Sequence, residues 1–480
     1  MNRRMIICMV GRIVSLEALL LLLPLIVSVV YREGCLWAFA AAIAAALAVG
    51  GAMALLSRPS SQVIFAKEGF VIVAIAWVLM SAIGALPFTL SGEIPSYIDA
   101  LFETVSGFTT TGASILPDPA KLSHGLLFWR SFTHWIGGMG VLVLVMALVP
   151  SGSGRTMHIL RAEMPGPIVG KLVPRVRDTA KILYIIYLAM TAVEVILLLC
   201  GGMDLFHSLV YSFGTAGTGG FSVSSAGVGE YSPYIQWVIA VFMLLFGVNF
   251  NLYYLILVRR FRTALRSREL WVYGLIVLIA SAVVTGNILS LCESFGEAVR
   301  LAVFQVASII TTTGYATANF DLWPGLSKAV LLLLMFVGGC AGSTAGGLKV
   351  SRVQLLFAAV RRELQRLLHP RSVSAIRLDG KRVDETTING TTTYFALYAM
   401  LLAATFLAIC WEPFGFETNF TAAVTCLNNV GPGFAAVGPA GSFAAYSGFS
   451  KLILLLAMLF GRLEIYPLLF MLTPSTWTRK

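Results

Sequence analysis

The chain alternates between long apolar runs and shorter segments that hold most of its charged residues. A helix needs about 20 apolar residues to cross a bilayer, and ten runs come close to that length. The first follows Arg3, Arg4 and Arg12 and is too long for the apolar region of a signal peptide, so we interpret it as a span. The predicted spans lie near 13–31, 36–57, 68–90, 126–149, 181–202, 234–258, 270–292, 327–351, 390–411 and 450–472.

Four of the connectors between these spans share an unusual pattern. Residues 100–115, 205–223, 298–320 and 419–438 each begin with helix-compatible sequence of about 10–12 residues, which is too short to cross a bilayer. Each then ends in a Gly-containing stretch that a Thr or Asn introduces. The sequence therefore predicts one unit, repeated four times: a span, a re-entrant half-helix, a Gly-rich strand and a second span.

This repeat predicts the fold class and the domain organisation. We expect an all-α polytopic membrane protein, with four span–pore-loop–span repeats around one central ion pathway and two additional N-terminal spans. The predicted boundaries are 1–59 for the N-terminal spans, then 60–155, 156–262, 263–370 and 371–480 for the repeats.

Aligned on one glycine each, the four strands predict a pore. The central glycines are Gly112, Gly220, Gly314 and Gly431. Irregular backbone at membrane depth is tolerated where it lines a watery cavity or is buried in protein. Glycine can turn its carbonyl in directions that other residues reach only with strain. Four such strands around an axis would present rings of carbonyl oxygens that replace the hydration shell of a monovalent cation.

The eighth span is interrupted by a glycine-rich stretch, residues 338–347, followed by Leu348 and Lys349. The stretch lacks the GK[ST] ending of a phosphate-binding loop. Because several glycines unwind a helix, we interpret it as a flexible intramembrane gate. Arg462 lies about 12 residues into the last span, where a charge is costly and normally functional. We expect it to project toward the glycines as a barrier to cations; the alternative is a local ion pair with Glu464.

Composition and charge support a membrane protein. Hydrophobic residues make up 58% of the chain and charged residues only 12%, which excludes a water-soluble enzyme. The formal charge of +11 reflects Lys and Arg residues in alternate connectors. This pattern predicts that these connectors and both termini share a cytoplasmic face, and it argues against nucleic-acid binding.

Arg130 and His134, in the outer part of the fourth span, are interpreted as structural. The seven scattered cysteines indicate neither a metal site nor a disulfide framework.

The predicted outer segments carry eleven acidic residues. Acids at a pore mouth attract cations, although outer loops also lack basic residues by the topology rule. The eleven are Glu93, Asp99, Glu103, Asp118, Asp204, Glu230, Glu293, Glu297, Asp321, Glu412 and Glu417.

The residues that carry a family resemblance are the four strands, WIGGMG at 135–140, GRLEIYP at 461–467 and the stretch 158–184. Through them the sequence resembles the superfamily of Trk, Ktr and HKT potassium transporters, and TrkH-type uptake subunits in particular. The resemblance implies potassium uptake across a bacterial inner membrane by a homodimer in contact with lipid. It also implies an intramembrane gate that includes Gly338, Gly339, Gly342, Gly346, Gly347, Lys349 and Arg462. It places the ion-coordinating carbonyls at Thr110, Thr111, Gly112, Thr218, Gly219, Gly220, Thr312, Thr313, Gly314, Asn429, Val430 and Gly431.

The resemblance further implies a partner, a cytosolic subunit of the TrkA type that binds NAD and ATP or ADP. The basic segments 151–181 and 352–382 are candidate docking surfaces, and anionic lipid head groups are the alternative ligand for them. An intramembrane enzyme or scaffold would need clustered His, Asp or Cys residues, and the five histidines are scattered. Passive flux and ion-coupled symport both remain open.

Overall fold

The computed structural model describes residues 2–57, 66–140, 176–370, 375–379 and 381–477. Several predicted features lie outside these ranges: the end of the span 126–149, most of the segment 151–181, and residues 371–374 of the segment 352–382.

The described residues form helices and one short hairpin, so the all-α prediction is confirmed. The helices are α1 Arg3–Leu20, α2 Leu22–Val30, α3 Leu36–Leu56, α4 Ala66–Gly84, α5 Leu86–Leu90, α6 Tyr97–Phe108, α7 His124–Gly138, α8 Val176–Cys200, α9 Leu205–Gly217, α10 Pro233–Phe246, α11 Phe250–Leu257, α12 Phe261–Leu265, α13 Arg268–Ile288, α14 Phe295–Ile310, α15 Gly325–Val337, α16 Val350–Leu368, α17 Glu385–Ile409, α18 Phe416–Asn428, α19 Gly448–Arg462, α20 Tyr466–Leu472 and α21 Pro474–Trp477. Strands β1 (Arg377–Leu378) and β2 (Lys381–Arg382) pair antiparallel.

Within the described ranges, six helical stretches are long and apolar enough to cross a membrane, which makes this a multi-pass membrane protein. They are Arg3–Val30, Leu36–Leu56, Lys67–Leu90, Asp178–Cys200, Arg268–Leu291 and Glu385–Ile409. Arg3 and Trp477, near the two ends of the described residues, lie together, because the Arg3 guanidinium donates a hydrogen bond of 3.1 Å to the Trp477 carbonyl.

Two of the predicted straight spans are bent. The span 234–258 consists of α10 and α11, which meet at 91°, and the span 450–472 consists of α19 and α20, which meet at 120°. Backbone groups released at the first bend pair with the glycine-rich interruption: Gly247 accepts from the Cys340 amide at 2.9 Å, and the Phe250 amide donates to Gly342 at 3.1 Å. A bend at membrane depth is therefore compatible with satisfied backbone groups.

The four re-entrant helices α6, α9, α14 and α18 contain 12, 13, 16 and 13 residues. The side chains of Ser96, Asp204 and Ser294 cap the first three by accepting a backbone hydrogen bond in the first turn. Each of the four helices ends at one of the aligned Gly-rich strands. In each case a long helix precedes the half-helix (α4, α8, α13 and α17), and a further helix follows the Gly-rich segment (α7, α10, α15 and α19).

Candidate functional site

Four short segments follow the re-entrant helices, and their backbones are equivalent. We call them segments 1 to 4: residues 110–112, 218–220, 312–314 and 429–431. The first residue of each has a left-handed backbone, with φ of 54° at Thr110, 57° at Thr218, 57° at Thr312 and 55° at Asn429. The third residue is the central glycine, with φ of 78°, 78°, 85° and 100° in chain order. Glycine alone adopts this region without strain, so the register taken from the sequence matches the backbone.

The middle residues of the segments also share one hydrogen bond. The amide of each donates to a carbonyl five residues earlier, in the last turns of the preceding helix. The bonds are Thr111 to Ser106 at 2.9 Å, Gly219 to Gly214 at 2.8 Å, Thr313 to Ser308 at 2.8 Å, and Val430 to Thr425 at 3.0 Å. Because the helix satisfies the amides, each segment is fixed to its own helix end.

The segments form a closed ring in chain order. A Cβ on Gly112 would collide with the Gly219 carbonyl oxygen, one on Gly220 with that of Thr313, and one on Gly314 with that of Val430. A Cβ on Gly431 would lie 2.7 Å from the Thr111 carbonyl oxygen, which completes the circle. Each central glycine therefore packs directly on the middle carbonyl of the next segment. This close approach of four backbones is possible only because the central residues have no side chain.

Beside the ring lies a cavity of about 240 Å³ that all four repeats line. The central glycines, Ser222, Tyr315 and Arg130 are among the lining residues. None of the eleven predicted outer acids is among them, so these acids do not form a ring around the described cavity.

Most of these acids bind basic side chains instead. Asp99 lies 2.6 Å from Lys451, Glu103 lies 2.5 Å from Arg130, and Asp118, Asp204, Glu297, Asp321 and Glu417 also lie within 4 Å of a basic group. Lys451 and Arg130 belong to apolar helices, which the apolar pattern assigns to spans and not to the outer segments. Four of these contacts join different elements of the fold, and those of Asp118, Asp204 and Glu297 are local pairs three residues apart.

The interruption at 338–347, which we call the glycine loop, packs against the ring. The Gly346 amide donates to Thr312 Oγ1 at 2.6 Å, and the Gly347 amide donates to the Asn428 carbonyl at 3.1 Å. Gly338, Gly342 and Gly347 have φ of 73°, 73° and 74°. A Cβ on Gly339 would lie 2.7 Å from that of Ala345. The loop is thus an irregular segment in direct contact with segment 3 and with the residue before segment 4.

Arg462 contacts this loop, as the sequence predicts. Its guanidinium donates to the Thr344 carbonyl at 2.8 Å and to the carbonyls of Gly137 and Gly138 at 2.5 and 2.7 Å. Glu464, the alternative partner considered for Arg462, binds Arg352 through its carboxylate. Lys349 is buried, and its ammonium donates to the Ala345 carbonyl within the loop. Arg462 therefore joins the loop to the end of α7.

Sequence reasoning missed several residues that hold the loop. Glu269 Oε1 accepts from the amides of Ala341 and Ser351 at 2.7 and 3.2 Å, so one buried carboxylate joins the glycine loop to the first turn of α16. Nothing in the local sequence distinguishes Glu269 from an acid in the first turn of a helix. Asn249 lies beside the loop, since a Cβ on Gly342 would be 3.1 Å from Asn249 Oδ1. It could have been found, because an Asn directly before an apolar helix is a typical N-cap, and here its side chain accepts from the Asn251 amide at 2.9 Å.

Comparisons with known proteins find relatives along nearly the whole chain. Residues 36–477 match the family model TrkH, described as a cation transport protein. The chain is 38% identical over 487 residues to the Trk system potassium uptake protein TrkH of Escherichia coli K12, covering 99% of this chain and 100% of that protein. It is 33% identical to a TrkH of Halomonas elongata over 493 residues, with 100% of both chains covered. The crystal structure of the potassium transporter TrkH from Vibrio parahaemolyticus superposes with a TM-score of 0.88 at 32% identity, covering 100% of both chains.

Proposed function

The chain belongs to the TrkH family of cation transport proteins, and on that premise we propose that it takes up potassium through the ring formed by segments 1 to 4. One observation carries this proposal: each central glycine packs on the middle carbonyl of the next segment, in a closed circle. Carbonyl oxygens of Thr111, Gly219, Thr313 and Val430 can then replace the hydration shell of K⁺. The uptake function of the named relatives supports K⁺ as the transported ion.

The second part of the proposal is a gate made of the glycine loop and Arg462. The loop contacts segment 3 through Thr312 and contacts Arg462 through Thr344. A fixed guanidinium charge beside the pathway opposes the passage of cations, and movement of the loop would displace it.

The third part is control from the cytosol. We propose that both termini face the cytoplasm of a bacterial inner membrane, since Arg3 contacts Trp477. A TrkA-type subunit that binds NAD and ATP or ADP would act on a homodimer of this chain. Helix α16 offers a route, because it begins at the end of the glycine loop and exposes Phe357, Leu364 and Leu367.

Complementation tests the proposal. The chain, expressed with a TrkA-type subunit in a bacterial strain that lacks K⁺ uptake, should restore growth at low K⁺. Gly112→Ser and Gly314→Ser should change the ratio of K⁺ to Na⁺ flux, because a side chain there displaces the neighbouring carbonyl.

Gly92→Ser is the matched control. Gly92 also has a left-handed backbone, with φ of 82°, but a Cβ there meets nothing within 4 Å. All three variants carry the same backbone strain, on the order of 1–2 kcal/mol. An unchanged flux ratio in both Gly112 and Gly314 variants, with normal expression, would contradict the proposed filter.

A further inference from the structure

Two buried polar side chains of helix α7 contact the residues that follow segment 2. Arg130 and His134 are one helical turn apart and so lie on one face of α7. Helix α7 belongs to the first repeat, whereas segment 2 belongs to the second. The contacts therefore cross from one repeat to the next.

Arg130 joins the outer ends of two neighbouring segments. Its Nη1 donates to the Ser222 carbonyl at 2.9 Å, and its guanidinium carbon lies 3.6 Å from the centre of the Phe221 ring. Its Nε donates to Glu103 at 2.5 Å. Glu103 in turn accepts from Ser114 Oγ at 2.9 Å and from the amide of residue 115 at 3.0 Å. A charge-assisted chain thus connects the residues after segment 1 to those after segment 2.

His134 lies between the end of α6 and segment 2. Its Nδ1 is 2.8 Å from the Gly107 carbonyl oxygen, which can only accept, so Nδ1 carries the proton. Its Nε2 then accepts from the Phe221 amide at 3.3 Å. The neutral imidazole thus uses both nitrogens. A Cβ on Gly219 would collide with its ring.

Segment 2 needs such support more than the other three segments. It has glycine at both the middle and the central position, Gly219 and Gly220, whereas the others have Thr or Val before the glycine. A pair of glycines can reorient its peptide groups with little steric resistance. His134 contacts the residue before Gly220 and bonds the residue after it, so it restricts the carbonyls of both glycines.

We propose that His134 and Arg130 are positioning residues that fix the carbonyl of Gly219 in the ring and thereby set ion selectivity. This inference rests on the proposed filter. The positioning role differs from a packing role in what it predicts: ion selectivity depends on the one hydrogen bond that the Phe221 amide donates to His134 Nε2.

Two substitutions of His134 separate the two nitrogens. In His134→Gln the amide oxygen reaches the position of Nε2 and can accept from Phe221. In His134→Asn the amide lies at the position of Nδ1, so it can still donate to Gly107 but leaves the Phe221 amide without an acceptor. We expect the K⁺ to Na⁺ flux ratio in proteoliposomes to fall about fivefold for Asn and to stay near the native value for Gln.

Ser131→Ala is the control, because Ser131 is buried on the same helix and makes none of these contacts. It should leave the ratio unchanged. Arg130→Lys keeps the charge beside Glu103 but loses the planar group over Phe221, and it should also lower the ratio. If neither His134 variant gives monodisperse protein, Arg130→Lys is the deciding test. A native ratio of K⁺ to Na⁺ flux in Arg130→Lys would then overturn the proposal.

The proposal would also be overturned if both His134 variants had the native flux ratio, or if the ratio fell equally in both. A histidine with a merely structural role would show no difference between the Gln and Asn variants. Failure here is separable from failure of the filter itself. If Gly314→Ser changes the ratio while the His134 variants do not, only the positioning role is wrong; if Gly314→Ser has no effect either, the proposed filter is wrong.

Discussion

Arg352 and Glu464 form a two-point ion pair that joins the third repeat to the fourth. One guanidinium nitrogen lies 3.2 Å from Glu464 Oε1, and the other donates to Oε2. Arg352 is in the first turn of α16, directly after the glycine loop, and its guanidinium carbon lies 4.0 Å from the centre of the Tyr394 ring. Glu464 lies in the bend of the last span, two residues after Arg462. The pair thus links the end of the loop to the bend that positions Arg462.

We expect the two residues to be energetically coupled. In a double-mutant cycle of Arg352→Met and Glu464→Gln, the coupling in the free energy of unfolding should be about 1–3 kcal/mol, because the Arg352 side chain is only 8% exposed. Thermal unfolding of the purified protein measures it. The exposed pair Arg366 and Glu363, at 3.9 Å, is the control and should give less than about 0.5 kcal/mol. Additive effects at Arg352 and Glu464 would refute the coupling.

Removal of the Arg462 side chain should open the pathway. Arg462→Ala removes both the charge and the bonds to Thr344 and α7, so basal K⁺ flux should rise about tenfold if the barrier falls by about 1.4 kcal/mol. Arg462→Lys retains the charge but offers fewer donors in a different geometry, and its flux should lie between those of Ala and the native protein. Efflux of Rb⁺ from proteoliposomes without the partner subunit measures both. Native flux in well-folded Arg462→Ala protein would exclude Arg462 from the gate.

Glu269 should control the loop without touching the ring. Glu269→Leu leaves the amides of Ala341 and Ser351 without their acceptor, which should cost about 1–3 kcal/mol and raise basal flux. Glu269→Gln retains an acceptor oxygen and should remain close to the native protein in both measurements. If Gln and Leu behave alike, the hydrogen bonds to the Ala341 and Ser351 amides are not what Glu269 contributes.

The outer contact between Asp321 and Lys328 predicts a pH dependence of stability. Partial burial raises the pKa of Asp321, but the hydrogen bond from Lys328 at 2.8 Å, an amide of residue 435 and the lysine charge outweigh it, so the pKa lies below its usual range. A carboxyl with a depressed pKa stabilises the fold above its unfolded pKa of about 3.9 and loses that effect as the pH falls through the folded value.

Asp321→Asn should therefore lower thermal stability at pH 7, by about 0.3–1 kcal/mol, and this difference should shrink as the pH falls below the unfolded pKa of about 3.9. Unfolding curves of both proteins across this range test the sign. An equal difference at pH 7 and pH 3 would show that the Asp321 charge does not contribute.

The sequence predicts the Gly-rich segments well because their geometry is local. A left-handed backbone at Gly112, Gly220, Gly314 and Gly431 requires glycine wherever it occurs, so alignment on one residue type recovers the register. The contact between Arg462 and the glycine loop follows from the cost of a buried charge, which requires polar partners nearby.

The remaining features depend on contacts between distant parts of the chain. The bend after α19 involves Glu464 and Ile465, with φ of 55° and 66°, and a branched residue such as Ile465 gives no local signal for that conformation. The partners of Asp99 and Glu103 are Lys451 and Arg130, which the apolar pattern assigns to spans. The sequence pattern does not predict that an outer acid pairs with a base inside another helix, because the two residues come together only in the folded structure.

The closed circle of segments has a genetic consequence. In a channel made of four identical chains, one codon change alters all four quarters of the aperture at once. In the proposed filter the four quarters are encoded separately, so a substitution such as Asn at position 429, where the other repeats have Thr, alters a single quarter. Ion preference can then change over evolution in small, asymmetric steps while the other three quarters keep the ring intact.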